Sequence, residues 1–231
     1  MVCNANDAHV WSASLDQPAD MIAKLAPLLS RDEYQRAERF HRPTDRRRFI
    51  AGRGILRKII SAYLALAPSV VRFVYNKYGK PFISDDQNRG ALSFNLSHSN
   101  GMALYAVARG RCVGVDIEYM REDFATLEVA ERFFSKDEVE ALKATPVDRR
   151  TEAFFNCWSR KESYIKAIGM GVSYPLDGFT VSLGVAPALL KVDADATEAA
   201  RWNIYGLDVA EGYAAALIVE NPPVTLSRFD F

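Results

Sequence analysis

The sequence predicts an α+β protein built from two similar lobes. Three observations carry that prediction. Two long segments, 44–66 and 148–168, repeat apolar residues at helical spacing, about 100° per residue. LSFNLSHS (92–99) and MALYAVA (102–108) flank Asn100-Gly101, a dipeptide favoured in tight hairpin turns. A fainter echo of this strand–turn–strand unit follows in YGLDVAEGYAAALIVE, 205–220. Each half therefore runs helix first and hairpin after. The boundary falls near 109–113, giving a first lobe of 1–112 and a second of 113–231.

Taken in order, residues 20–41 read as one helix that Pro43 ends. The next, 44–66, turns Phe49, Ile50, Ile55, Leu56, Ile59, Ile60 and Tyr63 inward before Pro68. VRFVYN (71–76) reads as a strand, with a turn at 78–81, and the 92–108 hairpin follows. RCVGVDIE (111–118) opens the second lobe as a mostly apolar strand. Helix is expected over 126–134. Ser135 with Glu138 three residues on is a capping-box pattern for another at 136–143. The long 148–168 helix breaks at Gly169 and Gly171, and 178–183, 201–209 and 213–220 return to strand.

With 231 residues, 49% of them hydrophobic, the chain can bury a substantial core. No apolar run approaches the roughly 18 residues of a membrane span, and the N-terminus lacks a signal-peptide pattern. Three scattered cysteines, Cys3, Cys112 and Cys157, form neither a disulfide framework nor a metal-ligand spacing. A reducing cytoplasm is the expectation. The three histidines are equally dispersed, so any metal is expected to be a hard cation on carboxylates. Formal net charge is zero, yet residues 31–58 hold ten basic side chains against four acids. That patch suits an anionic ligand or acidic partner rather than bulk nucleic acid; a solvated helix face is the alternative.

The chemistry concentrates in four places. Asp116 and Glu118 stand two apart in GVDIE, so a strand points both carboxylates to one face. Two like charges that close call for a cation or a proton between them. Magnesium, with its oxygen ligands and partial hydration, fits; an exposed strand edge is the alternative. In WSRKESYIKAIG (158–169) the apolar face also collects Lys161 and Glu162, with Lys166 one turn beyond. Glu162 reads as a third ligand for the same cation, and the two lysines as counter-charges for phosphoryl oxygens. A Glu162–Lys166 ion pair with Lys161 snorkelling would also account for them. Ser97, His98 and Ser99 crowd the end of a strand, where they can donate to phosphate oxygens. KYGKPF (77–82) offers a turn that brings backbone and Lys80 near a flat or anionic ligand. Neither GxGxxG nor GxxxxGK[ST] is present, which disfavours ordinary nucleotide folds. A Mg²⁺-dependent nuclease or phosphohydrolase is one rival reading, and a binding module that kept the fold and lost chemistry another.

GKP (79–81), FNLSHS (94–99), GVDIE (114–118), RFFSKDE (132–138) and WSRKESYIKAIGMGV (158–172), in this order, resemble the Sfp-type 4′-phosphopantetheinyl transferase family. The resemblance extends through RRRFIAGRGILR (46–57) and the strands after 178. It implies a pseudo-dimer of two α+β lobes with the active site at their interface. It also implies transfer of the 4′-phosphopantetheine arm of coenzyme A to a serine of an apo acyl or peptidyl carrier protein, releasing adenosine 3′,5′-bisphosphate. By matching position, Asp116, Glu118 and Glu162 would hold Mg²⁺, with Mn²⁺ the alternative. Lys166 would stabilise the pyrophosphate and the departing charge, with Lys161 nearby, and Glu162 or a metal-bound water would be the base. Ser97 and His98 would contact phosphates, and Gly79, Lys80 and Pro81 would line the adenine site. Arg36, Arg48 and Arg53 are the candidates for the 3′-phosphate; where some relatives carry lysines, this chain has Arg36 and, at one place, Glu33. The family expectation is a monomer without nucleic-acid or membrane partners.

Overall fold

The structure is a computed structural model that describes residues 1–231, the side chain of Val172 excepted. The chain begins with β1 (Asp7–Ser14), α1 (Ala19–Leu25), α2 (Arg31–Glu38) and α3 (Pro43–Leu64), then a small ribbon of β2 (Phe73–Tyr75) and β3 (Pro81–Ile83). The hairpin is β4 (Leu92–Ser99) and β5 (Met102–Arg109), followed by β6 (Val113–Tyr119). Three helices come next, α4 (Leu127–Phe133), α5 (Lys136–Ala144) and α6 (Arg150–Ile168). The rest is β7 (Phe179–Val181), β8 (Leu189–Val192), β9 (Trp202–Gly206), β10 (Tyr213–Glu220) and β11 (Thr225–Asp230).

Local chemistry explains most boundaries. Asn100 and Gly101 both adopt positive φ, +42° and +86°, as a two-residue hairpin turn requires. In α5 the Ser135 Oγ accepts from the Glu138 amide, and Glu138 Oε2 accepts from the Ser135 amide, completing the capping box. Gly169 closes α6 in the left-handed conformation. The expected single helix over 20–41 is instead two, because Pro27 sits in a 3₁₀ turn and Ser30 starts a new helix. There Glu33 reaches back to the Ser30 amide.

The sheets were only partly foreseeable. One runs β11-β1-β5-β4 and the other β6-β10-β9. β11 lies parallel to β1, so the last strand of the chain returns to the first sheet. β1, β3, β8 and β11 lie outside the expected elements. Between the sheets, Val10, Leu104, Ala106 and Ala108 meet Val115, Ile117, Leu217 and Val219. On the far side of the first sheet, α3 buries Ile55, Leu56, Ile59 and Ile60 with Phe94, Tyr105 and Val107. On the far side of the second, α6 packs Phe154, Tyr164 and Ile165 with Ala214, Ala216 and Ile218. The order of layers is helix, sheet, sheet, helix.

One glycine sets how close α6 comes to its sheet. A Cβ built on Gly114 of β6 would collide with the backbone carbonyl of Ser163 and lie 2.6 Å from the amide of Ala167. Both obstacles are backbone and cannot swing aside. Gly114→Ala is expected to destabilise the fold by about 1–3 kcal/mol or more, measured by urea denaturation; an unchanged midpoint would contradict this packing.

Candidate active site

The edge strands β4 and β6 are joined by side chains. Asn95, Ser97 and Ser99 alternate along β4, so all three face the same way. Asn95 Oδ1 accepts from the Val115 amide at 2.9 Å. Ser97 Oγ donates to Asp116 Oδ1 at 2.8 Å. Ser99 Oγ donates to Glu118 Oε2 and accepts from the Tyr119 amide, both at 3.0 Å. From α6, Lys166 Nζ donates to Asp116 Oδ1 at 2.6 Å and to Ser97 Oγ at 2.7 Å. Asp116 is 1% exposed, and its second oxygen, Oδ2, is buried without a hydrogen-bond partner. Among the described residues few buried polar atoms are left in that condition, and an unpartnered carboxylate oxygen calls for a cation, a proton or a water.

The neighbouring carboxyls feel that charge. Burial, then Asp116, pushes Glu118 up to about 7; Ser99 and Lys166 oppose the rise. Glu162 is raised by burial and then Asp116, against the pull of Lys166. Lys166 thus pairs with Asp116 rather than with Glu162, its helix neighbour one turn away. One lysine faces three carboxyl groups, a donor set of hard oxygens with a surplus of negative charge, which fits a divalent cation. Among the described residues no three acidic, His or Cys side chains are already converged on one metal position.

Beside this cluster lies a cleft of about 530 Å³ lined by Arg36, Arg48, Arg53, Gly79, Pro81 and His98, with Phe49 and Tyr75 among its apolar walls. Six of the residues expected to bind coenzyme A therefore share one cavity. The Arg36 guanidinium lies 5.4 Å from the Phe49 ring centroid. Arg48 makes a two-point pair with Asp16, 2.7 Å through each of Nε and Nη2. His98 follows Ser97 on β4; burial, then Lys166, holds its imidazole below the ordinary value.

Three expected ligands are placed otherwise. Lys161 is wholly buried on the other side of α6, where Nζ donates to Glu138 Oε1 at 2.7 Å and to the Phe179 carbonyl at 2.6 Å. It is a core ion pair and not a counter-charge for phosphate. Lys80 turns Nζ into the end of α6, donating to the carbonyls of Lys166 and Ala167. Arg53 borders the cleft but is already paired with Glu33, which also binds the buried Arg57, and it donates to Tyr75 Oη. Glu33 thus pairs with two of the ten basic residues in the 31–58 patch and offsets one of their two charges.

Asn95, Asp16 and the buried role of Glu138 escaped the sequence reading, and Ser99, read there as a donor to phosphate, binds Glu118 and the Tyr119 amide instead. Asn95 was visible as period-two alternation in FNLSHS. Glu138 carried only its capping signal, and nothing local marked Asp16.

A buried carboxylate, its lysine and two destabilised carboxyls beside an arginine-lined cleft define a site suited to phosphoryl chemistry. A family model described as the 4′-phosphopantetheinyl transferase superfamily matches residues 112–218, and one described as 4′-phosphopantetheinyl transferase, N-terminal, matches 10–109. The chain is 39% identical over 216 residues to the 4′-phosphopantetheinyl transferase HetI of Nostoc sp., covering 93% of this chain and 88% of that one. It is 38% identical over 176 residues to the 4′-phosphopantetheinyl transferase Sfp of Bacillus subtilis, covering 75% and 76%. The chain belongs to the 4′-phosphopantetheinyl transferase superfamily. Among solved structures, the holo-acyl-carrier-protein synthase of Thermotoga maritima covers 47% of this chain and 62% of its own, at a TM-score of 0.38 and 21% identity.

Two outcomes follow from the charges. Lys161→Met leaves Glu138 unpaired in the core and is expected to cost about 3–5 kcal/mol of stability. A variant that melts like wild type but loses coenzyme A affinity would return Lys161 to the site. Glu118 has a folded-state pKa of about 7 against an ordinary 4.5. Its contribution to stability, present at low pH, is therefore lost as pH rises through the folded value. Without divalent cation, Glu118→Gln should gain on wild type in thermal melts between about pH 4.5 and 7; a pH-independent difference would count against the shift.

Proposed function

We propose that this chain transfers the 4′-phosphopantetheine arm of coenzyme A to a serine hydroxyl of an apo acyl or peptidyl carrier protein, with adenosine 3′,5′-bisphosphate as the other product. The observation that carries the reading is the unpartnered Oδ2 of buried Asp116, set among Lys166, Glu118 and Glu162 beside the cleft. Family membership supplies the reaction class.

In this reading Asp116, Glu118 and Glu162 hold Mg²⁺, or Mn²⁺, against the pyrophosphate. The chemistry such a cation supplies is neutralisation of phosphoryl oxygens. Lys166 is held by Ser97 and Asp116 with its side chain 28% exposed, so it can meet the charge that grows on the departing phosphate. Glu162 is also the acceptor for the serine proton in this reading. Arg36 and Arg48 take the 3′-phosphate end of the cleft, where Arg53 is partly neutralised by Glu33. Gly79 and Pro81 lie against the flat base, and Ser97 and His98 face the phosphates.

The exposed basic residues between α2 and α3 and on α3, including Arg39, Arg42 and Lys58, suit an acidic carrier surface. No helix among the described residues is long and apolar enough to cross a membrane, and the three cysteines are free. A cytoplasmic monomer is the corresponding proposal.

The test is intact-mass analysis of apo carrier proteins incubated with the protein, coenzyme A and Mg²⁺. The expected result is a gain of one phosphopantetheine arm that EDTA abolishes. Asp116→Ala and Glu162→Ala are expected to stay folded and lose nearly all transfer. Lys166→Ala should lower kcat by about 100-fold and change coenzyme A affinity less; the reverse pattern would make it a binding residue only.

A further inference from the structure

The last carbonyls of a helix have no partner within it and carry partial negative charge. In α6 those carbonyls are met by the β2–β3 ribbon. Lys80 Nζ donates to Lys166 at 2.6 Å and to Ala167 at 2.9 Å, and Asn76 Nδ2 donates to Gly169 at 2.8 Å. Asn76 Oδ1 accepts from the amides of Tyr78 and Lys80, which fixes the turn from inside. Gly169, at φ +71°, makes room: a Cβ there would sit 3.1 Å from Lys80 Cδ and 3.2 Å from Asn76 Nδ2.

The ribbon has a second face. Tyr75, Gly79 and Pro81 border the cleft, so whatever rests against the turn presses on the segment that grips α6. That grip falls on the backbone of Lys166 itself, whose side chain runs to Asp116 and Ser97. Two of the three N–H donors of Lys80 are thus spent on the end of α6.

We propose that Lys80 is a positioning residue: through its bonds to the end of α6 it holds Lys166 against Asp116 and ties that placement to occupancy of the cleft. The inference rests on the phosphopantetheinyl transfer reading and on the part Lys166 plays in it. Misplacing a charge-stabilising group by a fraction of its contact distance costs turnover rather than substrate affinity.

Lys80→Met keeps the apolar stem and deletes the donors. The expected result is about tenfold lower kcat, with KM for coenzyme A within about threefold of wild type. Lys80→Arg, which restores donors, should recover most of the lost turnover. Amide exchange over 163–169 should quicken in Lys80→Met. A raised KM at unchanged kcat would make Lys80 a coenzyme A ligand and overturn the proposal. So would wild-type kcat and KM accompanied only by a lower melting temperature, or equal losses in the two variants. If Lys80→Met does not fold, Asn76→Asp keeps both turn acceptors, deletes the donor to Gly169 and is read by the same kcat and KM criteria. Wild type is assayed first: no transfer to any carrier would fail the transfer reading, and this inference with it. Transfer by wild type with undiminished turnover in the variant would fail the inference alone.

Discussion

A carboxylate buried at the seam between two sheets constrains everything around it. Removing an ionised group from water is costly unless it is paired and hydrogen-bonded. For Asp116 the pairing comes from two other elements, Ser97 on β4 and Lys166 on α6. Satisfying Oδ1 therefore fixes the first sheet, the second sheet and the long helix relative to one another. Oδ2 has no partner within the protein. One oxygen of the residue thus organises the interior, and the other is the atom on which the proposed metal site rests.

The surrounding charges divide by helix geometry. Lys161 and Lys166 are five positions apart, which on a helix is about 140°, so they cannot share a face. Lys161 goes to Glu138, whose carboxylate also takes the amides of Ser135 and Val181, closing a core network with no access to solvent. Glu162 and Lys166, about 40° apart, stay on the site side. On α3 the same arithmetic puts Arg53 and Arg57 together on Glu33. Arg36 and Arg48 remain at the cleft, the latter oriented by Asp16. Basic residues close in sequence thus end in different places, some paired in the interior and others lining the cleft.

Close approach is the other requirement. Gly114 brings α6 onto β6, and Gly169 admits the β2–β3 ribbon to the helix end. Those contacts span Ser163 to Gly169, so Lys166 sits within the supported stretch and Glu162 one residue before it. Rigid support of this kind allows a few side chains to stabilise developing charge without reorganising.

What the sequence by itself determined was local: the NG hairpin, the capping box at Ser135, the α3 and α6 patterns, and a strand with two carboxylates on one face. Each signal lies within a few residues, and backbone sterics and burial period suffice to read it. Ordered motifs also identified the family. The tertiary structure alone decided which charges meet. Whether Lys161 faces a phosphate or Glu138, whether Lys80 faces a nucleotide or a helix end, and whether β11 returns to β1 all depend on partners 18 to 218 residues away. Electrostatic pairing and sheet closure act through space, and a one-dimensional pattern carries charge and period but not distance.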